Sequence, residues 1–275
     1  MGNNKLGSIT VIIPYFNADT TIERALTSVS QQTLLPESII ILNDASTLQS
    51  TQQLNHIVQE KFSTLPINII EMKDNVGPAK LRNIGWNLSN TKYISFLDAD
   101  DSWHPQKLEI QYYFFTKHEE LDFIGHKMEI HKNNYIYDTI LPPNKLKIKK
   151  INKRKILFKN YFNTPTVMLK RNILFRFNED LRYSEDYALW LDIIYDNQKV
   201  AFIDTCLAYS HKSFYGISGL SSNLYKMEKG ELYNFINLYK CRKINFFYLI
   251  LAMSFSLIKY IKRILKTNLT KKKIK

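Results

Sequence analysis

Four apolar runs rich in β-branched residues recur through the first hundred positions: "SITVIIPYF" (8–16), "SIIILND" (38–44), "INIIEM" (67–72) and "KYISFLDAD" (92–100). Each has the length of a strand, and the segments between them carry helical periodicity. Parallel neighbours cannot be joined by a tight hairpin, so strands alternating with helices at roughly thirty residues per unit imply right-handed crossovers. This half of the chain is predicted to be α/β, a mostly parallel sheet flanked by helices. Thr20 followed by Glu23 has the spacing of a capping box and sets the predicted start of the first helix.

Ligands of such sheets bind outside the carboxyl ends of the strands. Those ends read "PYFN", "NDAS" and "DADD", and the third strand leads into "KDNVGPAKLRNIGW", where Gly77-Pro78 starts a helix carrying Lys80 and Arg82. Polar groups therefore converge on one edge. After about residue 120 the pattern changes. "LDFIGHKMEIH" and "NYIYDTI" read as antiparallel strands, and the basic "NKLKIKKINKRK" (144–155) as a mobile loop. "TPTVMLKR" (164–171) reads as a strand, "SEDYALWLDIIYD" (184–196) as a helix, "KVAFIDTCLAYSHKS" (199–213) as paired strands and 221–243 as helix. Three units are expected: 1–118, 119–220 and 221–275.

The net charge of +13 is unevenly spread. Residues 1–140 hold 11 Lys and Arg against 16 Asp and Glu, a net of −5, whereas 141–275 hold 27 against 9, a net of +18. A chain so polarised is expected to meet a polyanion with its basic half. The tail favours an anionic membrane: "INFFYLILAMSFSLI" (244–258) is nearly all apolar, and 259–275 follows with eight basic residues and no acid. A stretch of fifteen residues falls short of the ~20 that span a bilayer, so the tail is expected to lie in the interface with its lysines on headgroups. The opposing reading is a C-terminal helix packed on the domain. Cys206 and Cys241 stand far apart and suggest neither a disulfide framework nor a zinc site. The first residues, "MGNNKLGSITVII", lack a secretory h-region and cleavage signature, which makes a cytoplasmic location the expectation.

"FLDADDSW" places Asp98, Asp100 and Asp101 together at a strand end. Helix capping by Asp101 or Ser102 accounts for one acid, not three. Carboxylates a few ångströms apart repel by roughly 1 to 4 kcal/mol, and a divalent cation with oxygen ligands, Mg²⁺ or Mn²⁺, offsets that. An EF-hand would need a glycine at its sixth position, where Trp103 stands, and no GxxxxGK[ST] phosphate loop is present. In the helix opened by Glu185-Asp186, residues Tyr187, Trp190, Leu191 and Ile194 fall on one face. The two acids there complement the helix dipole, whatever else they do.

In order and spacing, "VIIPYFN", "ILNDAS", "DNVGPAKLRNIGW", "FLDADDSW" and "YSEDYALW" resemble family 2 glycosyltransferases, inverting enzymes of the Rossmann-like GT-A fold, over roughly residues 8–215. The resemblance implies that Pro14, Tyr15 and Asn17 line the nucleotide pocket and that Asp44 hydrogen-bonds the uracil of a UDP-sugar. It implies Asp98 on the ribose side, Asp100 on a Mn²⁺ or Mg²⁺ ion bridging the diphosphate, and Lys80 or Arg82 near that diphosphate. It also implies Asp186 as the catalytic base, with Glu185 as its neighbour or an acceptor contact. "HKSFYGISGLS", with His211 and Lys212 able to approach the diphosphate or metal, and "NTPTVMLKR" look like bacterial enzymes that extend O-antigen or capsule repeat units. A polyprenyl-diphosphate-linked saccharide is then the expected acceptor, at the inner face of the membrane.

Two rivals are weaker. A sugar-phosphate nucleotidyltransferase needs a glycine-rich loop after the first strand, and "PYFNADTT" has no glycine. A nucleic-acid-binding protein could stack bases on aromatics among the lysines. The basic residues fall in a loop and tail without an RRM or helix-turn-helix pattern, so no nucleic-acid partner is expected.

Overall fold

The computed structural model describes residues 6–131, 140–212 and 223–274. The expected crossovers form: β1 (Leu6–Tyr15), α1 (Ile22–Ser30), β2 (Leu35–Asn43), α2 (Leu48–Lys61), β3 (Ile67–Glu71), α3 (Pro78–Leu88) and β4 (Tyr93–Phe96). β1 pairs in parallel with both β2 and β4, and β2 with β3. The chain continues through β5 (Asp101–Trp103), α4 (Lys107–Lys117), β6 (Phe123–Ile130), β7 (Ile148–Lys150), α5 (Lys153–Phe158) and β8 (Met168–Lys170). It ends with α6 (Glu185–Tyr195), β9 (Val200–Ser210), α7 (Leu224–Lys240) and α8 (Phe246–Ile274). One sheet results, ordered β3-β2-β1-β4-β8-β6-β9-β5, with β7 also on β9. The apolar stretches of β1, β2 and β4 have no polar face because both faces are covered, whereas the edge strand β3 exposes Asn68 and Glu71. Ile12, Ile40 and Leu42 pack in one apolar cluster, and Ile9, Val11, Ile13, Ile39 and Ile41 in the other.

Four local expectations are corrected. The Thr20–Glu23 capping box does not form: α1 starts one residue later at an N-cap, Thr21, whose side chain makes no cap bond, and Glu23 pairs with Lys61 at 2.6 Å instead. Neither Asp101 nor Ser102 caps α4, because both are held in β5 against β9 and the N-cap is Gln106. The basic segment 144–155 is structured rather than a loop. Ile148 and Lys150 pair with β9, and buried Ile151 joins a core cluster; abundant lysine hid this apolar spacing. Residues 200–210 form one strand, not a hairpin. Asp204 within it sits near a register shift against β6, and its carboxylate pairs with Lys127 at 2.6 Å and with Lys149. "NYIYDTI" falls mostly outside the described residues.

The long C-terminal helix α8 packs on α7 and α5, burying Leu249, Ala252 and Ser256. Its opposite side leaves Phe247, Leu251, Ile258, Ile261 and Leu265 exposed, an apolar row at helical spacing. Among the described residues no helix is long and apolar enough to cross a membrane.

The helix α3 lies unusually close to the sheet at Gly85, where an added Cβ would sit 2.7 Å from Ile12 Cγ2 and 3.0 Å from Leu42 Cδ1. Gly85→Ala is therefore expected to lower stability by about 1–3 kcal/mol through overpacking, despite alanine's better helix propensity. Urea denaturation at constant m-value checks this.

Candidate active site

The strand ends predicted to hold polar groups meet at one edge. After β1 the chain turns with Asn17 in the left-handed region (φ 46°), and after β2 Ala45 does the same (φ 52°). Two such non-glycine residues at one edge mark a locally strained backbone. The turns are stitched together: Asn17 N–H donates to Ser46 Oγ at 3.0 Å, and Thr47 N–H donates to Asn17 Oδ1 at 3.0 Å. Asp44 is buried, and its two carboxylate oxygens accept from the Val76 and Gly77 N–H groups at 2.7 and 2.9 Å. It thereby fixes the turn into α3, where Gly77 (φ 82°) adopts a conformation that other residues resist. Pro14 is half-buried at the same edge. Tyr15 is corrected: its side chain is wholly buried and its hydroxyl bonds Ser50 Oγ at 2.7 Å, so only its backbone can face the edge.

The aspartate cluster is brought to its partners by strand register. In the antiparallel β5–β9 pair, Asp101 lies opposite Ser210 and Trp103 opposite Ala208, which sets His211 and Lys212 beside Asp100 and Ser102. Lys212 Nζ forms an ion pair with Asp100, and the Asp100 carbonyl accepts from Arg24 Nη2 at 2.7 Å. His211 Nε2 lies 2.8 Å from Ser102 Oγ. Burial, with Arg24 and His131 nearby, pulls the His211 pKa down to about 4, so this ring is neutral at physiological pH. Asp101 is buried with Oδ1 unpartnered, and burial beside Asp98 and Asp100 raises its pKa well above the carboxylate range.

Arg82 joins this cluster to the helix that bears the acid pair. Nη2 donates to Asp98 Oδ1 at 2.7 Å, and Nη1 donates to Glu185 Oε1 at 3.1 Å. The guanidinium is buried, with the Phe177 ring 5.4 Å away. Burial opposes its charge, but the two carboxylates outweigh that and raise its pKa. Sequence reading left Lys80 and Arg82 open as diphosphate contacts. Arg82 is committed to this bridge, and Lys80 is exposed on the first turn of α3.

The acid pair opens α6 from Ser184, which is held left-handed (φ 57°). Tyr187, Trp190, Leu191 and Ile194 are all buried. Burial raises the pKa of Glu185, partly offset by Arg82. Asp186, next to it, is half-buried; burial first and Glu185 second push it up to about 7, against one hydrogen bond from Tyr187 N–H at 2.7 Å. Sequence reading missed the supports of this turn. Asn234 Nδ2 donates to the Ser184 carbonyl at 3.0 Å, and α7 comes so close that a Cβ on Gly230 would lie 2.5 Å from the Tyr183 carbonyl oxygen. Arg24 and His131 were also missed, since nothing in their local sequence points to the aspartates.

Among the described residues no group of three or more His, Cys, Asp or Glu side chains stands close enough to hold a metal. The donors nevertheless suit Mg²⁺ or Mn²⁺, which are commonly bound by one or two carboxylates with substrate phosphates completing the shell. The unpartnered Asp101 Oδ1 beside Asp100 is a polar group awaiting such compensation.

The glycosyl transferase family 2 model matches residues 10–177. The chain belongs to that family. This glycosyltransferase is 31% identical over 223 residues, 81% of its own length and 83% of the other chain, to the UDP-Glc:alpha-D-GlcNAc-diphosphoundecaprenol beta-1,3-glucosyltransferase WfgD of Escherichia coli. In fold it is similar to TarS from S. aureus crystallised with UDP (TM-score 0.61, 19% identity, 83% of this chain and 65% of that one). It is also similar to the mannosyltransferase PcManGT from Pyrobaculum calidifontis in complex with GDP-Man and Mn²⁺ (TM-score 0.62, 14% identity, 85% and 64%). These structures support the GT-A architecture.

The Gly230 contact gives the transferase a testable dependence. Gly230→Ala is expected to displace the Tyr183–Ser184 turn and cut kcat by roughly 10²-fold, as a 1 Å misplacement can, while leaving donor affinity within a factor of about two, a shift worth only ~0.4 kcal/mol. Steady-state kinetics together with donor titration checks the split.

Proposed function

We propose that this glycosyltransferase moves a hexosyl residue from a UDP-sugar to a saccharide carried on polyprenyl diphosphate, with inversion, in O-antigen or capsule synthesis. The observation that carries the mechanism is Asp186: a half-buried carboxylate with a pKa of about 7, beside a Glu185 already engaged by Arg82. A general base works best when poised near the operating pH. In a single displacement the acceptor hydroxyl gives its proton to Asp186 as its oxygen bonds the anomeric carbon. The carbon–oxygen bond to UDP breaks on the opposite face. The similarity to WfgD supports a UDP-sugar donor and a lipid-linked acceptor.

In this reading residues 1–118 hold the donor, with Pro14 and Asn17 at the pocket edge. The Asp44 oxygens retain lone pairs for the uracil N–H, and Asp98 lies on the ribose side. Asp100 would hold Mn²⁺ or Mg²⁺, which supplies charge stabilisation to the departing diphosphate. Lys80, His211 and Lys212 are the groups available to the diphosphate. Residues 119–220 present Glu185 and Asp186 to the acceptor. Residues 221–275 attach the enzyme to the inner membrane face: α8 lays its exposed Phe247, Leu251, Ile258 and Ile261 into the interface. An open hollow of about 510 Å³ at the α7–α8 turn is lined by Lys240, Arg242 and Lys243. Basic residues at such a surface contribute about 1 kcal/mol each.

Asp186→Asn is expected to reduce transfer from a UDP-sugar to an N-acetylglucosaminyl diphospholipid by roughly 10²–10⁴-fold, with UDP binding in the presence of Mn²⁺ retained. In the wild type, kcat/KM should fall as pH drops through about 7, because protonation removes the base. That midpoint belongs to the Glu185–Asp186 pair as a whole. Full turnover by Asp186→Asn, or a flat profile from pH 5 to 8, would sink the assignment. For the tail, Ile258→Glu with Ile261→Glu is expected to abolish co-sedimentation with phosphatidylglycerol vesicles and leave transfer to a short-chain soluble acceptor within about twofold.

A further inference from the structure

Two of the three aspartates are each held by a cation in the described structure. Asp98 is held by Arg82, and Asp100 is held by the Lys212 ammonium. Lys212 is placed there by the backbone: β5–β9 pairing sets Asp101 opposite Ser210, and Ser210 Oγ donates to the Lys212 carbonyl at 3.1 Å. The turn after β9 therefore delivers a cation to the same carboxylate that, in the function proposed above, takes a divalent ion. That ion pair is about one-third exposed at both partners, so it is breakable, unlike the Arg82 bridge, whose guanidinium is buried.

Lys212 pairs with Asp100 Oδ2, and a divalent cation arriving on the same carboxylate would repel that ammonium at a few ångströms. Lysine, a compact charge on a four-carbon stem, can swing without disturbing the strand. We propose that Lys212 is a resident counter-cation of Asp100, displaced by the divalent ion and transferred to the diphosphate that arrives with it. This inference rests on the donor-site reading above. It adds that Lys212 weakens metal binding in the empty enzyme and strengthens it once a nucleotide diphosphate is present. Metal and nucleotide then bind with positive coupling, each raising the affinity for the other by the same factor.

The test uses the full chain and Mn²⁺, with the free ion counted by its electron paramagnetic resonance signal, first without nucleotide and then with saturating UDP. Lys212→Gln is expected to bind Mn²⁺ alone roughly fivefold more tightly than wild type, the scale of one partly exposed ion pair, and to show a smaller gain on adding UDP. Lys212→Arg, which keeps the charge, should keep the weak affinity, and Asp100→Asn should bind Mn²⁺ more weakly than either. Equal or weaker Mn²⁺ binding by Lys212→Gln, or unchanged coupling to UDP, overturns the exchange. UDP binding is read in the same titrations: its loss in every variant and in wild type would refute the donor site itself, whereas intact UDP binding with unchanged coupling refutes only the role of Lys212.

Discussion

The rest of the site depends on one buried guanidinium. Arg82 reaches from α3 to Asp98 on the aspartate cluster with one nitrogen and to Glu185 at the start of α6 with another. These carboxylates come from opposite halves of the sequence, and no other side chain binds both among the described residues. A planar fork suits this task; a lysine, a single point charge, could satisfy one partner and leave the other buried and unpaired. Breaking such a pair by removing one member typically costs about 3–5 kcal/mol, because a charge is left uncompensated out of water. Arg82, Asp98 and Glu185 therefore stand as a unit, and a displacement of Asp98 strains the bridge to the acid pair.

That arrangement also bears on the proposed role of Asp186 as the base. Arg82 is spent on Glu185, so the nearest cation favours ionisation of Glu185 and gives less help to its neighbour. Burial and the Glu185 charge then raise Asp186 to about 7. The sign of the stability linkage follows. Asp186 binds its proton more tightly in the folded state than in the unfolded chain, where a carboxyl titrates near 3.9, so folding stability declines as pH rises from about 4 to about 7. Above that window the fold carries the full cost of an ionised Asp186. The turn that holds it is braced accordingly, by left-handed Ser184, by Asn234 on its carbonyl and by the close passage of α7 at Gly230.

Much of this was legible in the sequence because periodic burial leaves a local trace. The four parallel strands announce themselves as runs rich in β-branched apolar residues, Gly77-Pro78 marks the start of α3, and the apolar spacing of α6 is visible from Tyr187 to Ile194. The illegible parts depend on partners distant in the chain. β5 is three residues long and exists only because β9 pairs with it. β7 is hidden among lysines whose charges are answered by Asp204 and solvent. The capping box is absent: the N-cap is Thr21, without a side-chain cap bond, and Glu23 reaches Lys61 across to α2. Tyr15 looked like a pocket residue from its place in the motif, yet strand alternation turned its ring into the core. Arg82 could be named from its motif, but its role was set by a residue 103 positions away.

The basic half of the chain is less free than its charge suggests. Glu231 on α7 accepts Lys259 at 2.6 Å and stands 3.6 Å from Arg263, so part of the positive charge of α8 is used to fasten that helix to α7. The same α7 presses Gly230 and Asn234 against the turn that opens α6. α8, α7 and α6 are thus packed in series. On the proposed membrane reading, the apolar row of α8 fixes one end of that series in the interface, and the other end carries Asp186. The height of the base above the bilayer is then set by side-chain packing rather than by a flexible tether. A lipid-linked acceptor has little freedom along the membrane normal, so a rigid path from anchor to base reduces the cost of bringing its hydroxyl within reach. A freely hinged tail would provide proximity to the membrane without that alignment, and the burial of Leu249 and Ala252 together with the ion pairs of Glu231 separates the two cases.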